Sequence, residues 1–204
     1  MEEMDWANLN CYKDDNLKLK SPSSEENRIV FFGDSITEQW VDIVPDFFTQ
    51  NNYIGRGIGG QTTPQMLLRF RNDVIKLKPK IVHILAGTND IAGNSGPVTL
   101  EMILDNIISM AELAKINNIK VVLASILPAL DYPWIEGIKP AEKIIELNNM
   151  IKDYADKNNL LYIDYHSLMA NEQNGMKEKY TTDGVHVTEL GYQEIMIPIV
   201  KQNL

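Results

Sequence analysis

Serine, histidine and aspartate residues occur in two short motifs that could carry out nucleophilic chemistry. Ser35 follows a short apolar run, within Gly33-Asp34-Ser35, so its hydroxyl could attack an electrophile at the end of a strand. Near the other end of the chain, Asp183 precedes His186 by three residues. An aspartate so placed can accept a hydrogen bond from Nδ1–H of the imidazole, which leaves Nε2 free to take a proton from a serine hydroxyl. Together these residues could form a Ser–His–Asp triad.

Two other motifs could supply hydrogen-bond donors to a developing oxyanion. A glycine-dense loop extends from Gly55 to Gly60 and exposes backbone N–H groups to a closely approaching ligand. The tetrapeptide 87–90 (Gly-Thr-Asn-Asp) follows another apolar run, and the side-chain amide of Asn89 could point into the same cleft. The first loop also has the Gly-x-Gly-x-x-Gly spacing of a dinucleotide site, but no acidic residue ends the next strand. Each motif alone is also typical of an ordinary turn or helix cap.

Alternating apolar runs and helical patterns predict the elements that must position these motifs. Strands are predicted at 28–32, 81–86, 120–126 and 160–163, with a less apolar candidate at 52–54. Helices are predicted at 64–77, 98–116, 140–154 and 189–200, and Pro198 is expected to cut or kink the last. This alternation predicts a parallel sheet with helices on both faces. In such sheets the active site lies at the carboxyl ends of the strands, where these motifs fall.

The four motifs, in this order, are similar to the four conserved blocks of the SGNH family of GDSL-type esterases and lipases. The matching residues span most of the chain and are Gly33-Asp34-Ser35, Gly60, Gly87-Thr88-Asn89-Asp90 and Asp183-x-x-His186. Ile36 stands where leucine is usual in the family. The resemblance implies an α/β fold, a three-layer α/β/α sandwich of flavodoxin-like type with a central parallel sheet of about five strands.

The resemblance also implies a role for each matching residue. Ser35 would be the nucleophile, His186 the general base and then acid, and Asp183 the residue that holds the imidazole. The N–H groups of Ser35 and Gly60 and the side-chain amide of Asn89 would form the oxyanion hole. The resemblance implies no metal and no organic cofactor.

Further residues near this edge bear on the substrate. Tyr132 and Trp134 follow the strand at 120–126 and could wall an acyl or sugar pocket, and Asp34 is a further candidate for the pocket. Because no long apolar lid occurs and single-domain relatives in the family often deacetylate sugars, we expect a small-molecule ester with a short acyl group, such as an acetylated carbohydrate. Lysophospholipids, thioesters and a non-catalytic binding role on the same fold remain alternatives.

The other two histidines have different contexts. His83 lies inside an apolar strand, where a buried or supporting role is expected. His166 follows Asp164 at another strand end, so that pair is a second candidate for the base and its orienting residue. Three histidines spaced in this way do not match a metal-binding pattern.

Length and charge limit the possible partners. The 204 residues suit one domain at 28–204, with 1–27 as an N-terminal extension that packs on it. A net charge of -9 argues against binding to nucleic acid or to anionic membranes. The single cysteine, Cys11, excludes an intrachain disulfide, and no apolar run is long enough to span a membrane. The first residues lack the features of a signal peptide, which predicts a cytoplasmic location unless a leader was removed; a homo-oligomer remains open.

Overall fold

A five-stranded parallel sheet forms the centre of the computed structural model, which describes residues 5–23 and 26–204. The strands are β1 (Ile29–Gly33), β2 (Tyr53–Gly57), β3 (Ile81–Leu85), β4 (Lys120–Ala124) and β5 (Leu161–Ile163). Their order is β2-β1-β3-β4-β5, and all neighbouring pairs are parallel. This arrangement confirms the predicted α/β/α sandwich of flavodoxin-like type.

Helices cover both faces of the sheet. They are α1 (Lys13–Lys18), α2 (Ser35–Ile43), α3 (Pro45–Thr49), α4 (Thr63–Asp73), α5 (Thr88–Ile91), α6 (Leu100–Ile116), α7 (Ala141–Lys157), α8 (His166–Met169), α9 (Glu189–Gly191) and α10 (Ile197–Asn203). Val30 and Phe32 of β1 pack in the cluster that contains α4, α6 and α7, whereas Ile29 and Phe31 pack with α2, α3 and the C-terminal helical segment. Because alternate side chains of a buried strand point to opposite faces of the sheet, β1 contributes to two hydrophobic cores, one on each face. In the described part of the chain, no helix is both long and apolar enough to cross a membrane.

The element boundaries differ from the predictions where backbone details intervene. β2 continues to Gly57, beyond the predicted 52–54, because Gly55 to Gly57 pair in register with β1 despite their low strand propensity. The predicted helix 64–77 ends as α4 at Asp73, and a 3₁₀ turn follows at Ile75–Leu77.

The C-terminal helical segment passes through Pro198 instead of being cut by it. A π-helical turn at Tyr192–Met196 precedes the proline, and the amide of Ile197 donates to the carbonyl of Tyr192, five residues earlier. Proline has no N–H to donate and its ring crowds the preceding turn, so a wider turn at this point is a physically reasonable accommodation. The segment continues as α10 to Asn203.

The described part of the predicted extension 1–27 packs against the strand ends, while its residues 1–4 and 24–25 lie outside the described residues. The side chain of Asn16 donates to Asp73 Oδ1 at 2.8 Å and accepts from Arg56 Nε at 2.9 Å. The side chain of Gln61 donates to the carbonyl of Ala7 at 2.8 Å. The extension is therefore hydrogen-bonded to the loop that follows β2.

We expect Gly57→Ala to destabilise the fold, because α2 approaches the end of β2 very closely. A Cβ at Gly57 would lie 2.1 Å from the backbone nitrogen of Glu38 and 2.6 Å from the carbonyl oxygen of Asp34. Backbone atoms of a packed helix cannot move aside easily, so the loss in unfolding free energy should reach about 3 kcal/mol. Urea denaturation would measure this loss.

Gly137→Ala is the matched control. Gly137 has a φ of +80° but no atom within 4 Å of a Cβ, so only the conformational cost of about 1 kcal/mol should appear. If Gly57→Ala lost no more stability than Gly137→Ala, the close approach of α2 to β2 would be contradicted.

Candidate active site

The candidate site lies where the connections from two neighbouring strands diverge. β1 leads into α2 on one face of the sheet, whereas β3 leads through α5 to α6 on the other face. Such a divergence leaves a crevice at the carboxyl ends of the strands. Ser35 begins α2 after β1, and Asn89 lies in α5 after β3, so both border this crevice.

Ser35, His186 and Asp183 form a continuous hydrogen-bonded chain. Ser35 Oγ lies 3.1 Å from His186 Nε2, and His186 Nδ1 lies 2.6 Å from Asp183 Oδ2. The other oxygen of Asp183 accepts from the amides of Val185 at 2.9 Å and His186 at 2.8 Å. These contacts fix both the carboxylate and the ring, so Nε2 faces the serine hydroxyl.

The hydrogen bonds around Asp183 also set its charge. Partial burial acts to raise the pKa of this carboxyl, but the hydrogen bonds from the His186 side chain and from the two amides outweigh it and hold the pKa below its ordinary value. Asp183 is therefore ionised over the whole neutral range. A carboxylate in this state would stabilise a protonated imidazole at His186.

Asp34 lies beneath the crevice instead of on its surface. Its side chain is completely buried, and Oδ1 accepts from the amide of Ile36 at 3.0 Å, which caps the start of α2. Burial raises its pKa to about 7, with a smaller contribution from the negative charge of Asp90. Asp34, which immediately precedes Ser35 in the chain, can therefore change its protonation state near neutral pH.

The glycine-dense loop lies beside Ser35. A Cβ at Gly59 would be 3.8 Å from Ser35 Cβ, and the amide of Gly59 donates to Glu38 Oε2 at 2.9 Å. Gly60 follows with a φ of +74°, a backbone conformation that L side chains rarely adopt. The loop thus turns next to the serine at a position that requires glycine.

The Asn89 side chain reaches the same place from β3. Its Nδ2 donates to the carbonyl of Gln61 at 3.1 Å and to Asp34 Oδ2 at 3.4 Å. The adjoining Asp90 is buried and accepts from the amide and the hydroxyl of Thr63, the hydroxyl at 2.6 Å. The tetrapeptide 87–90 is therefore tied to the end of the glycine-dense loop.

One wall of the crevice is aromatic. Tyr132 and Trp134 stack with ring centroids 5.1 Å apart, and the Trp134 ring lies 6.1 Å from that of His186. Tyr132 is buried, whereas Trp134 is 43% exposed. Of the two predicted pocket residues on this segment, Trp134 is therefore the one that presents a surface to a ligand.

The remaining histidines, His83 and His166, lie outside the hydrogen-bonded chain of Ser35, His186 and Asp183. His83 is buried within β3 and lies 3.0 Å from the Tyr165 hydroxyl through Nε2, and burial lowers its pKa to about 3. His166 begins α8 after β5, and burial lowers its pKa also. It is His186, not His166, that contacts Ser35.

Three supporting residues were missed by the sequence analysis. Gln61, Arg69 and Asn94 all hydrogen-bond to the loops of the site. Their residue types and spacing follow no catalytic motif. The basic residues around Arg69 are typical of a solvated helix face, whereas the structure buries the Arg69 side chain completely.

Comparisons with known proteins indicate which family this chain resembles. The model of the GDSL-like lipase/acylhydrolase family matches residues 31–194. A crystal structure of a GDSL-like lipase from Bacteroides thetaiotaomicron is similar over 97% of each chain, with 49% identity and a TM-score of 0.95. The human platelet-activating factor acetylhydrolase IB subunit alpha2 is 25% identical over 86% of this chain and 75% of its own.

A further relative is longer than this chain. An uncharacterized lipoprotein, YqeF of Bacillus subtilis, is 32% identical in an alignment of 120 residues that covers 50% of this chain. The matched part is 49% of that protein, so the similarity covers about half of its length.

We expect Asp34→Asn to remove a pH-dependent loss of stability. Folding raises the pKa of Asp34 from 3.8 to about 7, so over that interval the native chain holds a proton that the unfolded chain releases. The contribution of protonated Asp34 to the unfolding free energy is therefore complete below about pH 4 and is lost as the pH rises to about 7. The unfolding free energy should fall by up to about 1.4 kcal/mol per pH unit over this range. Urea unfolding of wild type and variant across this range would measure it.

The exposed carboxylate of Asp46 provides the control, as Asp46→Asn. The wild type and Asp46→Asn should lose stability more steeply than Asp34→Asn as the pH rises. Parallel profiles for all three proteins would show that Asp34 keeps an ordinary pKa.

Proposed function

We propose that this chain, which belongs to the GDSL-like lipase/acylhydrolase family, is a serine-dependent carboxylic-ester hydrolase. The observation that carries the proposal is the continuous hydrogen-bonded chain from Ser35 through His186 to Asp183. It joins a nucleophile, a base and a residue that orients the base in the geometry that acyl transfer needs.

In the first half of the reaction, Ser35 Oγ attacks the carbonyl carbon of the ester while its proton passes to His186 Nε2 over the observed 3.1 Å. The carbonyl π electrons move to oxygen and form a tetrahedral oxyanion. When this intermediate collapses, the alcohol leaves with the proton from Nε2, and the acyl group remains on Ser35. Asp183 stabilises the transient imidazolium through the 2.6 Å contact.

In the second half, a water molecule repeats the sequence. His186 Nε2 takes a proton from the water as it attacks the acyl carbon, and a second oxyanion forms. Collapse of this intermediate releases the carboxylic acid and returns the proton to Ser35 Oγ. The enzyme ends in its starting state, so no cofactor enters the balance.

The oxyanion would be held by the N–H groups of Ser35 and Gly60 and by the side chain of Asn89. Asn89 Nδ2 makes one hydrogen bond of ordinary length, to Gln61, and one of 3.4 Å, to Asp34. A substrate oxyanion could compete for the hydrogen of the longer bond. One such donor is typically worth about 10²–10³ in kcat.

For the substrate, we infer a short acyl ester whose alcohol portion carries a ring, such as an acetylated carbohydrate. The exposed Trp134 face beside His186 offers an apolar platform of the kind on which sugar rings stack. The acetyl group has support from the acetylhydrolase named among the relatives. Lysophospholipase activity would need a place for a long acyl chain, thioesterase activity would differ only in the leaving group, and a non-catalytic binding role would leave the Ser35–His186 contact without a function.

Substitutions of the triad test the proposal directly. Ser35→Ala and His186→Ala should each lower kcat for p-nitrophenyl acetate by at least about 10⁴-fold, because either change removes the nucleophile or its base. His166→Ala is the matched control and should keep wild-type kcat. Absence of turnover by the wild type on every ester from acetyl to palmitoyl would overturn the function, and activity that survives in Ser35→Ala would overturn the nucleophile.

A second experiment tests the substrate class. The wild type should hydrolyse p-nitrophenyl acetate with a higher kcat/KM than the palmitoyl ester. Trp134→Ala should raise KM about fivefold for an acetylated xylo-oligosaccharide, since the ring loses a stacking partner, but should leave KM for ethyl acetate unchanged. A higher kcat/KM for the palmitoyl ester would favour the lipid alternatives. An equal effect of Trp134→Ala on KM for the xylo-oligosaccharide and for ethyl acetate would contradict the role of Trp134 as a carbohydrate platform.

A further inference from the structure

Asn94, which follows α5, makes hydrogen bonds with both the aromatic wall and the loops of the site. Its Oδ1 accepts from Trp134 Nε1 at 3.2 Å. Its Nδ2 donates to the carbonyl of Gly60 at 3.1 Å and to Asn89 Oδ1 at 3.0 Å. A single exposed side chain thus joins three residues from three different segments of the chain.

The chemistry of these partners allows only one orientation of the Asn94 amide. Rotation by 180° would place its oxygen against the oxygens of Gly60 and Asn89 and its NH₂ against the indole N–H. All three contacts would then be repulsive. The observed orientation in turn fixes Asn89, because an Asn89 oxygen that accepts from Asn94 leaves the Asn89 Nδ2 directed at Gln61 and Asp34.

We propose, building on the ester hydrolase function above, that Asn94 is a positioning residue that couples Trp134 to the oxyanion donors. A ring that stacks on Trp134 restrains the indole, and the indole N–H holds the amide of Asn94. Asn94 then keeps Asn89 and the positive-φ turn at Gly60 in place for the developing oxyanion. Substrates whose alcohol portion reaches Trp134 would therefore have a higher kcat as well as a lower KM.

Purely structural support would have a different signature. Asn94 is exposed, so loss of its hydrogen bonds should affect stability about as much as the loss of any exposed asparagine. Asn117→Ala is the matched control, because that exposed side chain donates to the carbonyl of Leu113 at the far end of α6. If Asn94→Ala and Asn117→Ala lose similar amounts of stability but only Asn94→Ala lowers kcat, then Asn94 positions the site and does not merely support the fold.

The experiment combines Asn94→Ala and Trp134→Phe, singly and together, because phenylalanine keeps a ring and removes only the indole N–H. On the acetylated xylo-oligosaccharide, Asn94→Ala should lower kcat about tenfold and change KM less than about twofold. The expected loss of kcat is smaller than the loss caused by removal of a complete oxyanion donor, because Asn94 only positions the donors. Trp134→Phe should lower kcat about threefold. In the Asn94→Ala background, Trp134→Phe should have no further effect on kcat, since the two residues act through one contact.

A spectroscopic readout does not depend on turnover. In ¹H–¹⁵N spectra, Trp134→Phe should shift the side-chain amide resonances of Asn89, and the same substitution in the Asn94→Ala background should leave them unmoved. If Trp134→Phe left the Asn89 resonances unchanged, or if Asn94→Ala kept wild-type kcat while Ser35→Ala was inactive, the coupling would be overturned and the proposed hydrolase function would stand.

Discussion

The buried guanidinium of Arg69 connects the backbone segments on which the site is built. It donates to the carbonyl of Gly33 at 2.8 Å and to that of Arg56 at 3.0 Å, at the ends of β1 and β2. It also contacts Gln61 Oε1 at 2.5 Å and Asp73 Oδ2 at 3.1 Å. A buried charge is tolerated only when it is paired and fully hydrogen-bonded, so these groups must hold their places while Arg69 stays inside. Gly33, which precedes Asp34-Ser35, and Gln61, which follows Gly60, are thereby held in place relative to one another.

The N-terminal segment extends this network outward. Asn16 joins Asp73 to Arg56, the Tyr12 hydroxyl donates to the carbonyl of Gly57, and Gln61 donates to Ala7. The segment therefore closes a second layer of hydrogen bonds behind the glycine-dense loop. Its residues belong to no catalytic motif, yet they contact the same loop that lies beside Ser35.

The two aspartates near Ser35 lie in opposite electrostatic environments. Asp183 is partly exposed and accepts three short hydrogen bonds, which lower its pKa in spite of its partial burial. Asp34 is fully buried near Asp90, which raises its pKa to about 7. The negative charge is therefore concentrated next to His186, where the proposed mechanism forms a transient imidazolium, and is reduced near Asn89, which the proposed mechanism places beside the oxyanion.

The apolar runs and the motif positions were sufficient to predict the sheet, its flanking helices and the arrival of four motifs at one edge, because buried parallel strands are apolar and their carboxyl ends lie together. The Asp183–His186 contact could also be predicted, since a spacing of three residues in a turn brings these side chains within reach. The burial of Asp34, the hydrogen bonds of Arg69 to β1 and β2, and the link from Trp134 through Asn94 to Asn89 became visible in the folded chain alone. Those contacts join residues distant in the chain, so they depend on strand order and loop paths that no local pattern encodes.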